Sequence, residues 1–135
     1  MITPSIIHGD VFKDKRGDVS HNNSFDLSQI KRIYCIQNSL VQKTRGWKGH
    51  EIENRWFLPS EGEFLIEVVD INYFRDAKAA HIFKFVINFK TFDVLHVPPG
   101  FATKITSLIN NSKLLCFSDF SINDSEDDIR FDINI

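Results

Sequence analysis

The sequence predicts an all-β protein, a sandwich or barrel of short strands. Three observations carry this. Apolar residues alternate with a period of two over several stretches. Phenylalanine occurs thirteen times in 135 residues, and aromatic and β-branched residues suit pleated, half-buried surfaces. Turn-forming residues interrupt the chain roughly every ten positions, the rhythm of sandwiches and barrels. No long segment carries a helical period. The mildest candidate is Ser121–Asp128, where Ser121 would cap a short acidic turn.

Taken in order, a first short strand ends in the hairpin turn Asp14-Lys15-Arg16-Gly17-Asp18. Asn22 and Asn23 read as a loop. Ile30–Ile36 is a strand, and Pro59-Ser60-Glu61-Gly62 divides two more. Phe64, Ile66 and Val68 alternate with Leu65, Glu67 and Val69. In His81–Lys90, Phe83, Phe85, Ile87 and Phe89 share one face, and Ile82, Lys84, Val86, Asn88 and Lys90 the other. Pro98-Pro99-Gly100 stops a strand abruptly, because proline cannot donate to a ladder. Lys113–Phe117 is a further strand.

Composition narrows the function classes. Hydrophobic residues make up 42% and charged residues 25%, an ordinary globular balance. Sixteen basic and 18 acidic side chains leave a net charge of -2, which argues against a broad nucleic-acid surface. No apolar run reaches the roughly 18 residues of a membrane helix. The opening MITPSIIHGD lacks the basic and apolar regions of a secretion signal. Cys35 and Cys116 lie far apart and suggest neither a disulfide framework nor a zinc ribbon. The expectation is one domain over residues 1–135, reduced and cytoplasmic, without nucleic-acid or membrane partners.

The chemistry concentrates in Arg45-Gly46-Trp47-Lys48-Gly49-His50-Glu51. On a strand, Lys48 and His50 point to the same face. Such a basic pair facing inward needs an anion or a hydrogen-bond partner; facing outward it would simply be solvated. Trp47 alternates away from Lys48 and reads as core or interface. His81 and His96 stand near strand ends, with surface roles expected. The acidic run Glu126-Asp127-Asp128 reads as a solvated turn.

These residues, in this order, resemble the cupin superfamily, a double-stranded β-helix or jelly-roll barrel of the RmlC-like type. Lys48-Gly49-His50 stands at the first motif's H-x-H, Arg55 at its acid and Gly62 at its glycine. Pro98-Pro99-Gly100 stands at P-x-G, and Thr103 at the final histidine. Lys48, Arg55 and Thr103 thus hold metal-ligand positions with poor ligands, and one histidine cannot hold a divalent metal unaided. The resemblance therefore implies a cupin with no metal and no cofactor. A metal-dependent oxygenase would need ligands where these three residues stand.

Within the superfamily the chain is most similar to the WxcM-like group, the FdtA-type sugar-nucleotide 3,4-ketoisomerases and related sugar epimerases. Asp14-Lys15-Arg16-Gly17 matches the early D-x-R-G turn, Lys31-Arg32-Ile33-Tyr34 the K-R-[VI]-[YF] strand, and Arg45–His50 the R-G-x-H-A-H run. Val97-Pro98-Pro99-Gly100 matches I-P-P-G; Phe117–Phe120 and Arg130-Phe131-Asp132 match the closing segments. Lys48, Thr103 and Phe120 depart from the pattern, the first two replacing histidines and the last a tyrosine.

The resemblance implies proton abstraction beside the ketone of a nucleotide-linked 4-keto-6-deoxyhexose, in unusual-sugar biosynthesis. His50 would be the base, because an imidazole titrates near neutral pH. Tyr34 would return the proton, or merely line the barrel. Lys48 and Arg45 would supply charge for the enolate oxygen, and Arg45 could instead hold the diphosphate. Arg32 shares a strand face with Tyr34 and counts with the substrate-binding residues. Arg55 would contact the ligand, or pair with Glu53 or Glu63. Thr103 would hydrogen-bond a sugar hydroxyl, or fill a β position. A homodimer is also implied. The alternative is a cupin that binds a sugar nucleotide or carbohydrate without turning it over.

Overall fold

Strand alternation decides which side chains meet. The computed structural model describes residues 2–76, 81–124 and 127–132. The strands are β1 (Ser5–Ile7), β2 (Asp10–Asp14), β3 (Gly17–His21), β4 (Arg32–Ile36), β5 (Thr44–His50) and β6 (Arg55–Glu61). They continue with β7 (Glu63–Asp70), β8 (Phe83–Asn88), β9 (Val94–Val97), β10 (Phe101–Ser107), β11 (Lys113–Ser118) and β12 (Ile129–Arg130). One five-stranded sheet runs β1-β9-β6-β11-β4, the other β12-β5-β10-β7-β8, and β2 and β3 form a separate hairpin. Every pairing is antiparallel. The architecture is the expected all-β jelly roll.

The main core lies between the two sheets. Phe57, Leu95, Leu114 and Cys116 come from the first, and Phe64, Ile66, Val68 and Ile105 from the second. Burial of these apolar faces is the main drive to fold. Side chains directly opposite on antiparallel strands share a face, so the register shows where this apolar lining gives way. One row runs Tyr34–Cys116–Phe57–Leu95–Ile6. The row one step along is Arg32–Ser118–Arg55–Val97. In the second sheet a row runs Arg130–Lys48–Thr103–Val68–Phe83. Each of these last two rows is polar at one end and apolar at the other. The interior is therefore apolar for most of its length and charged at one end.

Several details depart from the expectations. Pro59, Ser60 and Glu61 lie inside β6, and the turn is confined to Gly62. Proline is tolerated there because the β6–β11 ladder is irregular where Pro59 faces Leu114. β8 stops at Asn88, so Phe89 is largely exposed instead of sharing the inward face. A five-residue helix, α1 (Asn72–Asp76), is too short to register as a sequence period. Within Ser121–Asp128, Asp124 N–H donates to Ser121 O, and no helix forms among the described residues; 125–126 lie outside them. Asn22 is a loop residue as expected. It donates to Ile7 O and Phe92 O, tying the β2–β3 hairpin to the first sheet.

The β6–β7 turn offers a direct test. Gly62 has φ +74, and a Cβ there would meet Ser112 Oγ at 1.9 Å. Ser112 cannot retreat, because it donates to Ile109 O and accepts from Glu63 N–H. Gly62→Ala is expected to destabilise the fold by about 1–3 kcal/mol. Urea unfolding checks this, and an unchanged midpoint would contradict the turn geometry.

Candidate active site

β5 and β10 approach closely, which brings the Arg45–His50 run over the interior. Gly46 has φ +132, and a Cβ there would lie 2.6 Å from Thr103 O. Only glycine permits that contact. Trp47 points the other way and is 3% exposed, packed with Val69, Ile71 and Ala102. With Trp47 anchored in that cluster, Lys48 and His50 turn inward. His50 is 6% exposed, and its carbonyl accepts from Gly100 N–H at 2.7 Å. The Pro98-Pro99-Gly100 stop thus buttresses the last residue of β5.

The inward cations meet two carboxylates. Asp128 Oδ1 is 3.0 Å from His50 Nε2, and Asp128 Oδ2 is 3.1 Å from Lys48 Nζ. Arg55 is 1% exposed. Its Nη1 donates to Tyr34 Oη at 2.6 Å, and its Nη2 lies 3.0 Å from Glu53 Oε1 and 3.7 Å from Asp128 Oδ1. Glu53 also accepts from Ser118 Oγ and lies 3.7 Å from Arg32 Nη2. Asp127 holds this assembly shut. Its carboxylate accepts from the N–H groups of Glu51, Ile52 and Glu53 at 2.7, 2.7 and 2.8 Å.

A cavity of about 830 Å³ opens beside the cluster, lined by Tyr34, Lys48, His50 and Thr103, with Arg45 and Arg130. A second hollow of about 720 Å³ lies against Tyr34, Lys48, Arg32 and Asp128. Tyr34 and Lys48 stand between the two. Arg45 is held by donating from Nε to Asn38 Oδ1 at 3.1 Å.

Burial sets the protonation states. It pushes the His50 imidazole down to about 4; Arg55 pushes the same way, and the Asp128 hydrogen bond opposes both. Burial pushes the Tyr34 phenol up to about 12, against the pull of Arg55 and Arg32. For Asp128, burial acts upward, but hydrogen bonds from Lys48 and His50 outweigh it and hold the carboxyl below its usual range. An ionised carboxylate only accepts. His50 therefore donates from Nε2, and its lone pair lies on Nδ1.

No known protein-family model matches the chain, and no curated protein matches it. Solved structures do. An asparagine-for-histidine variant of the 3,4-ketoisomerase QdtA from Thermoanaerobacterium thermosaccharolyticum, in complex with TDP-4-keto-6-deoxyglucose, superposes with a TM-score of 0.74 at 18% identity, covering 97% of this chain and 89% of that one. A 3,4-ketoisomerase from Helicobacter canadensis gives 0.72 at 19% identity, with 97% and 92% covered. The dTDP-4-dehydrorhamnose 3,5-epimerase of Bacillus anthracis, with TDP and PPi bound, gives 0.77 at 14% identity, with 97% and 79% covered. The fold is that of the RmlC-like cupins. At these identities the likeness is one of fold.

Cupins commonly hold a metal, so the donor set matters. His50, Glu53 and Asp128 bring ligand atoms within 4.8 Å of one another. Arg55 already stands 3.0 Å from Glu53, and Lys48 3.1 Å from Asp128. A divalent ion would have to displace two cations from these carboxylates, so the residues present do not suit one.

Of the residues singled out in the sequence, the cupin interior brings Tyr34, Lys48, His50, Thr103 and Arg45 around one cavity. Arg32 lines only the second hollow, and Arg55 lines neither. Arg55 takes the pairing arm of its alternatives, with Glu53; Glu63 accepts instead from Asn88. Within the acidic run, Glu126 lies outside the described residues, Asp128 is exposed, and Asp127 departs from the solvated turn expected. Asp127 is 3% exposed, because three backbone donors need its carboxylate. His96 is half-buried, stacked on Trp56 and hydrogen-bonded to Asn54, not a surface residue. Arg130 was part of a matched motif but had no assigned role. For Asp128 the available signal was charge balance, since inward Lys48 and Arg55 require a carboxylate nearby.

The burial of His50 has a measurable sign. Its folded value lies below the ordinary 6.5, so the fold favours the neutral ring. The associated stability, on the order of 3 kcal/mol, is fully present above pH 6.5 and is lost as pH falls through about 4. The stability difference between the protein and His50→Asn should narrow across that window. In NMR titration His50 should have a midpoint near 4, and Asp128→Asn should lower it further by removing the opposing hydrogen bond. A midpoint near 6.5 would contradict the burial.

Proposed function

We propose that the protein is a metal-independent isomerase or epimerase of a nucleotide-linked 4-keto-6-deoxyhexose. The observation that carries this reading is that His50, paired with Asp128, lines one cavity together with Lys48 and Tyr34. A neutral imidazole with its lone pair on Nδ1 can take the proton on the carbon beside the ketone. The Lys48 ammonium can stabilise the oxygen that becomes an enolate. Tyr34 holds a phenolic proton to return. Return to the same carbon from the opposite face is epimerisation; return to the neighbouring carbon, with the hydroxyl proton exchanged between oxygens, moves the ketone. Arg45 and Arg130 offer two guanidinium forks in the same cavity for a diphosphate. The ligands named for the Thermoanaerobacterium and Bacillus neighbours, a keto-sugar nucleotide and TDP with PPi, support this choice of substrate class.

The alternative is a cupin that binds such a ligand without chemistry. It is favoured by Lys48 in place of the first histidine and by the low basicity of His50, at about 4.

Proton NMR with dTDP-4-keto-6-deoxyglucose in deuterated water separates the two. Loss of the signal at carbon 3, alone or with carbon 5, is expected. His50→Asn should slow that exchange by about a hundredfold or more while the nucleotide still binds. Line broadening with every signal retained would favour the binding reading. Unchanged exchange in His50→Asn would remove His50 as the base.

A further inference from the structure

Arg55 is the most deeply placed charge near the cavity, yet it lines neither hollow. A buried guanidinium is expensive to desolvate and is stabilised only by well-placed partners. Here the match is incomplete. Nη1 donates to Tyr34 Oη, but among the described residues Nε and Nη2 have no hydrogen-bond partner. The 3.0 Å approach of Nη2 to Glu53 is an ion pair without hydrogen-bond alignment. An apolar residue would fill the space at lower electrostatic cost. The position of this cation therefore calls for an account in terms of what it faces.

It faces two reacting groups. A phenolic hydroxyl has one proton to give. By accepting from Arg55, Tyr34 Oη is left with its own proton to donate; the Cys116 sulfur lies within hydrogen-bonding reach of it, and Tyr34 borders the cavity where His50 stands. The guanidinium carbon also lies 5.8 Å from the Tyr34 ring centre. On its other side Nη2 lies 3.7 Å from Asp128 Oδ1, the oxygen that stands 3.0 Å from His50 Nε2, so the same positive charge favours a tyrosinate and disfavours an imidazolium. The other groups acting on Tyr34 are Arg32, Asp128 and the neutral Cys116 thiol, which donates to Leu114 O. Those acting on His50 are Asp128 and Glu53, with Lys48 sharing Asp128. Arg55 is the cation that acts on both.

We propose that Arg55 is the positioning residue of the site, fixing Tyr34 as proton donor and His50 as proton acceptor without touching the substrate. The catalytic part of this rests on the isomerase reading above. Its electrostatic part does not.

The test uses the whole protein with Arg55→Met and Arg55→Lys. With Arg55→Met, the His50 midpoint should rise by about one pH unit or more, and with Arg55→Lys it should stay close to the parent value. Turnover of the keto-sugar nucleotide should fall about tenfold or more in both, with KM little changed, because neither methionine nor lysine reproduces the planar donor to Tyr34. If Arg55→Met does not fold, Arg55→Lys in a Tyr34→Phe background decides. There it should add no further loss of turnover, because its route of action is already gone. An additive loss would overturn the proposal, as would a raised KM with unchanged turnover, which would make Arg55 a substrate contact. An unmoved His50 midpoint in folded Arg55→Met would overturn it too. Absence of any proton exchange by the parent protein would defeat the isomerase reading, while the titration would still judge Arg55.

Discussion

A guanidinium inside a barrel obliges the rest of the chain to bring carboxylates to it. Arg55 opens β6, where the inward lining changes from apolar to charged. Glu53 comes from the same loop, and Asp128 from the far end of the sequence. Asp128 then serves Lys48 and His50 together. Without these acids Lys48 and Arg55 would be unpaired cations, and the interior could not close around them. The charged end of the barrel is thus one connected structure, and a change in any member alters the field at the others.

This dependence separates what could be read in the sequence from what could not. The strands with one-sided burial were legible, because Phe64, Ile66 and Val68 or Leu114 and Cys116 repeat at a period that only a strand explains. The Pro98-Pro99-Gly100 stop and the Asp14–Asp18 turn were legible for equally local reasons. Pro59 misled, because a ladder irregularity opposite Leu114 is a property of the partner strand. The shared face of Lys48 and His50 followed from their spacing, but its inward aim and the identity of the counter-ion did not. Asp128 lies 78 positions from His50, and local pattern looks no further than a few residues.

Position and environment also come apart. The candidacy of His50 came from its place in a motif, whereas its low basicity comes from burial and from Arg55, which only the packed interior reveals. His96 suffered the same way, since the stacking partner Trp56 reaches it through the β6–β9 pairing. Arg55 was legible as an inward residue at a metal-ligand position. Its hydrogen bond to Tyr34 joins β6 to the edge strand β4 with β11 between them, a relation set by sheet order.

The three hydrogen bonds that backbone N–H groups donate to Asp127 form a seam between the middle of the chain and residues 127–132. During synthesis every strand but β12 emerges first, and the apolar core between the sheets can close before the seam exists. His50 is then present without Asp128 at its Nε2. The contacts of Asp128 with His50, Lys48 and Arg55 are then made in a final docking step, together with the stacking of Phe131 on Phe74. Such a step opens more readily than the core, so slow hydrogen exchange at the amides of Glu51, Ile52 and Glu53 would mark the population of molecules in which the site is whole.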